Sequence, residues 1–349
     1  MLEESSTFAV DFINTNMKKI FTLLFLTTAM IQAMAQGGHA PMKFSGKATI
    51  EVNGNTVSTL ESDTILYSGS NVTLPEMKYG NFVIPSFTIH GAQFSMDMST
   101  MTVTFPEQTF TETITVDGVE KTITGTSLSG SYTHDAFNTF KMTVVFKYGN
   151  MPMPLTYDIV AYYIKDYQDK LDVSIGGMFN YTVAAVTYSV RTYPENDKTL
   201  LDVDVPNYYL SDTPLGNLTV GGYTVKGLAM DTEKGGYYRD YAADGLTMHF
   251  KAVKDGQTNM DDDYPMNVGE NNILLVYEGK NIKVTNAFHP GNMPFPITSQ
   301  FPGVGDVTAV DAVKTVEQSN AAAYNLAGQR TTAGYKGIVI KNGKKFYQR

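Results

Sequence analysis

The sequence predicts an all-β protein in which one sheet-built unit is made twice, and three observations lead there. A phrase recurs: residues 149–156 read GNMPMPLT and residues 291–298 read GNMPFPIT, an offset of 291 − 149 = 142 residues, the size of one domain. Runs of alternating apolar and polar residues are separated by Asn-Gly and Asp-Gly turn signals, and no stretch of useful length repeats its apolar residues every 3.6 positions. The aromatic residues are 22 Tyr and 19 Phe with no Trp, which together with many Thr and Val favours strands.

The repeated phrase has a physical reading. Gly-Asn admits positive φ and opens a turn. Two prolines one residue apart then hold the chain extended and remove two backbone donors, which suits the end or edge of a sheet. A second pair of matches keeps the same order in both halves. Val72-Thr73-Leu74-Pro75 is similar to Val203-Asp204-Val205-Pro206, and Ile84–Gly91 is similar to Leu215–Gly222. The first of these has an offset of 203 − 72 = 131, so the second half carries about eleven extra residues between the landmarks, expected in loops.

Taken in order, the chain begins with residues 1–16, which read as an extension ahead of a start at Met17. Residues 17–35 form a signal peptide: Met17-Lys18-Lys19 is a basic opening, Ile20–Ile31 an apolar run too short to span a bilayer, and Ala33-Met34-Ala35 a small-x-small cleavage site before Gln36. The chain is therefore expected to be exported, without a transmembrane segment once Gln36 is its N-terminus.

Residues 43–165 are expected to form the first unit. Ile50–Val57 flanks Asn53-Gly54 and Thr113–Val119 flanks Asp117-Gly118, two hairpins; Met142, Val144 and Phe146 mark the buried face of a strand. Residues 166–180, charged and then Gly-rich, are expected to be a junction. The second unit is expected over 178–303. It contains a first strand near Thr182–Thr192 and a strand pair broken at Gly221-Gly222. Met248, Phe250 and Ala252 run into Asp255-Gly256, and a hairpin follows at Ile273–Val284. Residues 304–319 read as a linker, and 320–349 as a short β-rich segment ending in an Asn342-Gly343 hairpin.

Composition removes several functions. A net charge of −9 leaves no basic stripe for a nucleic-acid partner. With no cysteine, a disulfide framework, a thiolate zinc site, a thiol nucleophile and a lipid-modified cysteine are all excluded. The five histidines, His39, His90, His134, His249 and His289, show no metal-ligand spacing. Asp261-Asp262-Asp263 lacks the spacing of a calcium loop and reads as a solvated loop. Gly125, Ser127, Ser129, Gly130 and Ser131 do not make a nucleophile elbow. No catalytic residue, metal ligand, cofactor or ligand-binding residue is singled out. The 18 methionines, among them Met96, Met98, Met101, Met151, Met153, Met178, Met230, Met248, Met266 and Met293, serve either as core or as an adaptable pocket lining.

Two family resemblances follow from these residues. Tyr324–Arg330 and Lys336–Lys345 resemble the C-terminal sorting segments of proteins exported by the type IX route in Bacteroidetes, which implies the export machinery as a partner. The strand phrases at Val72–Pro75, Val203–Pro206 and Leu215–Val220 resemble the calycin-like β-barrel domain of secreted Bacteroidetes proteins. That resemblance implies two tandem antiparallel, lipocalin-like barrels of about eight strands plus the C-terminal hairpin segment. The Gly-x-Trp signature of true lipocalins cannot occur without Trp, so no ligand residues carry over. The expected function is a non-enzymatic binding protein for a small apolar or amphipathic ligand held in a barrel lined by Met, Phe and Tyr. The alternative is a structural or adhesive surface protein with solid barrels and loop-mediated contacts. An enzyme would need polar groups converging in a pocket, which the sequence does not reveal.

Overall fold

The computed structural model describes residues 40–79, 82–293 and 295–305, and the backbone of strands at 324–325, 337–341 and 344–348. The extension at 1–16, the signal peptide, the cleavage residues Ala33, Ala35 and Gln36, and residues 306–323 of the linker and tail lie outside the described residues.

The first body comprises β1 (Met42–Val52), β2 (Asn55–Ser68), β3 (Asn71–Leu74), β4 (Met77–Tyr79), β5 (Phe82–Ile84), β6 (Phe87–Ile89), β7 (Ser95–Asp97), β8 (Thr102–Val116), β9 (Val119–Thr133), β10 (Thr139–Tyr148) and the first part of β11 (Leu155–Ile175). The hairpins predicted at Asn53-Gly54 and Asp117-Gly118 form, and all four of these residues adopt positive φ, as tight two-residue hairpin turns require. Every other residue of β10 is buried, so Phe140, Met142, Val144 and Phe146 face inward.

The second body uses the rest of β11 with β12 (Phe179–Glu195), β13 (Lys198–Val205), β14 (Tyr208–Thr213), β15 (Gly216–Val220), β16 (Tyr223–Asp231), β17 (Gly236–Asp240), β18 (Thr247–Lys254), β19 (Gln257–Pro265), β20 (Asn272–Glu278), β21 (Asn281–Phe288) and β22 (Ile297–Phe301). The ladder runs β11-β12-β13-β16-β17-β20-β21-β22 and returns to β11, a closed antiparallel barrel of eight strands. A four-stranded sheet, β14-β15-β18-β19, follows the same neighbour order. It is the upper continuation of four barrel strands, each bent where its two halves meet. Pro206, which cannot donate to a ladder, marks the bend between β13 and β14, and Gly221-Gly222 the bend between β15 and β16. At Gly221 and Gly222 an added Cβ would lie 2.7 Å and 2.9 Å from backbone carbonyl oxygens, which is why the bend needs glycine. The strand pair expected to break at Gly221-Gly222 is β15 and β16, which continue one another across the bend.

The two bodies share a design. In the first, β3 pairs with β6 by Leu74↔Phe87 and Val72↔Ile89; in the second, β13 pairs with β16 by Val205↔Tyr223 and Val203↔Val225. Phe87 therefore corresponds to Tyr223, an offset of 223 − 87 = 136, and the expected alignment of Ile84–Gly91 with Leu215–Gly222 is five residues out of step. Five of the extra residues lengthen the β14–β15 hairpin relative to β4–β5 and do not form a loop. Both copies of the repeated phrase link the last two barrel strands. Phe146 faces Leu155, and Phe288 faces Ile297. Gly149 and Gly291 hold φ of 55° and 56°, and each amide donates 2.8 Å to a carbonyl of the sixth strand, Thr122 in one body and Pro265 in the other.

Each body has its own core. Phe44 to Ala161 supply one cluster and Leu171 to Phe301 the other, with no residue in common. Residues 166–175, expected as a junction, are strand: β11 pairs with β1 and β10 over its first half and with β12 and β22 over its second. The charges that suggested a linker stay compatible with a strand because Lys165, Asp166, Gln168 and Asp169 are exposed between the two cores. Since the turn at 149–154 precedes β11 and the turn at 176–178 follows it, these corresponding turn-bearing ends of the two bodies lie at opposite ends of the shared strand. In the tail, β23 (Tyr324–Asn325), β24 (Gly337–Lys341) and β25 (Lys344–Gln348) form a small antiparallel sheet, with β24 and β25 paired across the Asn342-Gly343 position.

Candidate functional site

Large side chains occupy both barrel interiors. Tyr67, Phe105, Phe140 and Phe146 in the first body, and Tyr188, Tyr241, Phe250 and Phe288 in the second, are fully buried. Within the second barrel four tyrosines meet. The Tyr223 and Tyr241 hydroxyls lie 3.0 Å apart, Tyr241 donates 2.9 Å to Asn286 Oδ1, and Asn286 Nδ2 donates 2.7 Å to the Tyr223 oxygen. Tyr188 bonds Ser299, and the buried Tyr208 hydroxyl has no hydrogen-bond partner among the described residues. Burial pushes Tyr223 up to about 12 and the other three phenols up as well, so the cluster stays neutral. Neutral, mutually bonded hydroxyls stiffen a core and offer no charge for acid–base chemistry.

Above this core, at the open end of the second barrel, lies an apolar cavity of about 420 Å³. Four separated parts of the chain build it. Ile175 ends β11, with Met178 and Phe179 just beyond it. Pro214 and Leu215 form the β14–β15 turn. Met260 and Tyr264 come from β19, Pro290 stands just before the repeated phrase, and Met293 and Phe295 belong to it. Asn292 adds the one amide side chain of the lining. The rim is apolar and open to solvent: Met178 is 61% exposed, and Phe179, Leu215 and Phe295 are also exposed. Glycines make this geometry possible. Gly176 has a φ of +60°, its amide donates 3.0 Å to the Pro296 carbonyl, and a Cβ there would come within 3.1 Å of Phe295. A Cβ on Gly291 would meet the Tyr264 ring at 3.1 Å.

The cavity expected inside a barrel is not there, because large side chains fill both interiors; an apolar space of about 420 Å³ lies instead at the mouth of the second barrel. The matching end of the first barrel is filled: Met77, Ile84, Ile123 and Met151 are all buried there. Met151 and Met293 hold the same place in the repeat, but only Met293 is left half-exposed. Of the other methionines singled out, Met248 and Met266 are core, Met96 packs against the first core, and Met98 and Met230 face solvent. Sequence reasoning missed Ile175, Phe179, Pro214, Leu215, Met260 and Tyr264 as cavity residues; the repeated phrase and Met178 were the signals that pointed here.

The polar candidates do not converge on this cavity. His90 bonds Glu112, with 3.0 Å between Nδ1 and Oε2, and His134 bonds Asn138. His289 bonds the Glu270 carbonyl at 3.1 Å, and His39 lies outside the described residues. Asp261-Asp262-Asp263 is not a loop. It lies in β19, where Asp261 and Asp263 flank His249 at 3.1 Å and 3.0 Å, and Lys251 reaches Asp261 at 2.6 Å. The Asp263 and Asp261 carboxylates raise the His249 pKa. Among the described residues no group of three His, Asp or Glu is placed to hold a metal ion, and no helix is long and apolar enough to cross a membrane.

No curated protein is significantly similar to this chain. Among solved structures, that of a Bacteroides fragilis protein provisionally named an outer membrane protein aligns with 74% of this chain and 94% of its own, at 15% identity and a TM-score of 0.24. Residues 165–304 match the family model of the calycin-like beta-barrel domain, so the second barrel is similar to that family from its first strand to its last.

Proposed function

We propose that this chain is an exported, non-enzymatic binding protein that takes a small apolar or amphipathic ligand at the open end of its second barrel. One observation carries the reading: a cavity of about 420 Å³ whose lining is almost wholly Met, Phe, Pro, Leu, Ile and Tyr, open at a rim where large apolar side chains face water. Ligand sites are concave, mostly apolar and a few hundred Å³ in size, and solvent-facing apolar rims of this kind are covered in use. Thioethers at three points of the lining, Met178, Met260 and Met293, adapt to irregular shapes. Export rests on the signal-like residues 17–35, with cleavage between Ala35 and Gln36, and on the resemblance of the tail to a type IX sorting segment.

Titration with an environment-sensitive fatty-acid probe tests the reading. The delipidated protein should bind the probe, and Leu215→Asp or Met293→Asp should weaken it at least about tenfold, near 1.4 kcal/mol. Met153→Asp, at the corresponding exposed point of the first barrel, should leave affinity unchanged. Absence of binding, or equal loss in all three variants, contradicts a ligand site at this mouth. The adhesive alternative is favoured by the filled interiors and the exposed rim, and gains if no small probe binds.

A further inference from the structure

We propose a second binding site, for a neutral oligosaccharide, in the cleft between the two barrels. It is independent of the apolar mouth. The cleft measures about 780 Å³ and runs between the outer face of the first barrel and the projecting β12–β13 hairpin of the second. Gly46, Lys47 and Thr49 of β1 and Val160 and Tyr162 of β11 line one wall, and Tyr193, Pro194 and Glu195 of β12 the other.

The wall at Tyr193 is held rigidly. Arg191 and Asp202 are direct cross-strand neighbours and form a buried ion pair. Asp202 also accepts the Tyr193 hydroxyl at 3.0 Å and the Gly227 amide at 2.9 Å, while Arg191 stacks on the Tyr193 ring at 4.9 Å and reaches Ser45 of the first barrel at 3.5 Å. A buried pair bonded on this many sides fixes geometry more than it adds stability. What it fixes is the ring of Tyr193, whose centroid lies 6.2 Å from that of Tyr162 at an angle of 30°. Two half-buried tyrosine rings, one from each barrel, thus stand in one cleft.

The charge balance selects the ligand class. Four cationic side chains line the cleft, Lys47, Lys141, Arg191 and Lys226. Four carboxylates oppose them, Glu61, Asp158, Glu195 and Asp202. An anion or a cation would meet as many like charges as opposite ones. A neutral ligand rich in hydroxyls, each both donor and acceptor, can use both kinds of group, and the C–H face of a sugar ring packs on tyrosine. The volume corresponds to roughly two dozen non-hydrogen atoms at liquid-like density, about two pyranose rings. Clefts at domain boundaries are a preferred place for such sites.

Calorimetric titration of the full chain with neutral gluco-, manno- and xylo-oligosaccharides of two to four rings, against uronic-acid oligosaccharides of the same length, tests this. At least one neutral series should bind with a Kd of about 1 mM or tighter. Tyr162→Ala and Tyr193→Ala should each weaken it about tenfold, while Leu215→Asp at the apolar mouth leaves it unchanged. Should Tyr193→Ala fail to fold, Tyr162→Ala, which leaves the Arg191–Asp202 pair and its hydrogen bonds in place, decides alone. No binding across the neutral panel, stronger binding of the uronic-acid series, or wild-type affinity in Tyr162→Ala overturns the proposal.

Discussion

The two barrels place the same landmarks in the same order, yet they differ at the seam and at the mouth. In the second barrel, β16 and β17 pair through Ala229–Asp231 and Gly236–Tyr238, and the ladder closes. In the first, the corresponding ladder pairs β7 with β8 through Ser95–Asp97 and Thr102–Thr104, but the fourth strand is broken between β6 and β7. Side chains span that break: Gln108 exchanges hydrogen bonds of 2.7 Å and 2.8 Å with the Gln93 backbone, and Glu112 accepts the His90 amide at 2.7 Å. The mouth differs in the opposite sense. Met151 is buried in the first barrel, whereas Met293 is half-exposed beside a cavity in the second. A backbone can thus be conserved between repeats while the side chains on it decide which copy keeps an opening.

The largest effects should come from the matched core residues. Phe146→Ala and Phe288→Ala each remove a fully buried ring at corresponding positions, at a cost of about 3–5 kcal/mol. Because the cores share no residue, each change should lower the denaturation midpoint of its own barrel, followed by hydrogen exchange at amides of β10 or of β21. Equal loss of protection in both barrels from either variant would mean that they unfold as one body.

The turn glycines should separate the barrels more finely. Gly149→Ala and Gly291→Ala both force a Cβ onto a backbone of positive φ, costing about 1 kcal/mol. At Gly149 the nearest obstacle is the flexible end of Lys121 at 4.0 Å, but at Gly291 it is the Tyr264 ring at 3.1 Å. Gly291→Ala should therefore cost more in a thermal melt and also weaken probe binding, since Tyr264 lines the cavity. Identical melting shifts for the two variants would remove the distinction drawn between these turns.

Much of this architecture was legible in local chemistry. Asn53-Gly54, Asp117-Gly118 and Asp255-Gly256 each sit at the hairpin turn their residue types imply, and the GNMP phrases fall at one topological position in both barrels. Residues 166–175 were misread because their charged side chains resemble a linker, although a strand bridging two bodies exposes both faces between the cores. The bends were legible as Pro206 and Gly221-Gly222, but the first barrel uses Pro85-Ser86 at the second bend. Matching phrases by apolar pattern there slipped by five residues. The cavity was the least legible feature, because Ile175, Leu215, Met260 and Phe295 are brought together by turns spread over more than a hundred residues. Nothing local marks Leu215 as a rim residue.

The central claim is that one module is made twice and only the second copy is left open to a ligand. Methyl NMR of methionine-labelled protein during titration with the fatty-acid probe tests it most directly. The account predicts shifts for Met178, Met260 and Met293 and none for the buried Met77 and Met151 of the first barrel. Shifts centred on Met77 and Met151, or no shift at Met293 at saturating probe, would contradict it.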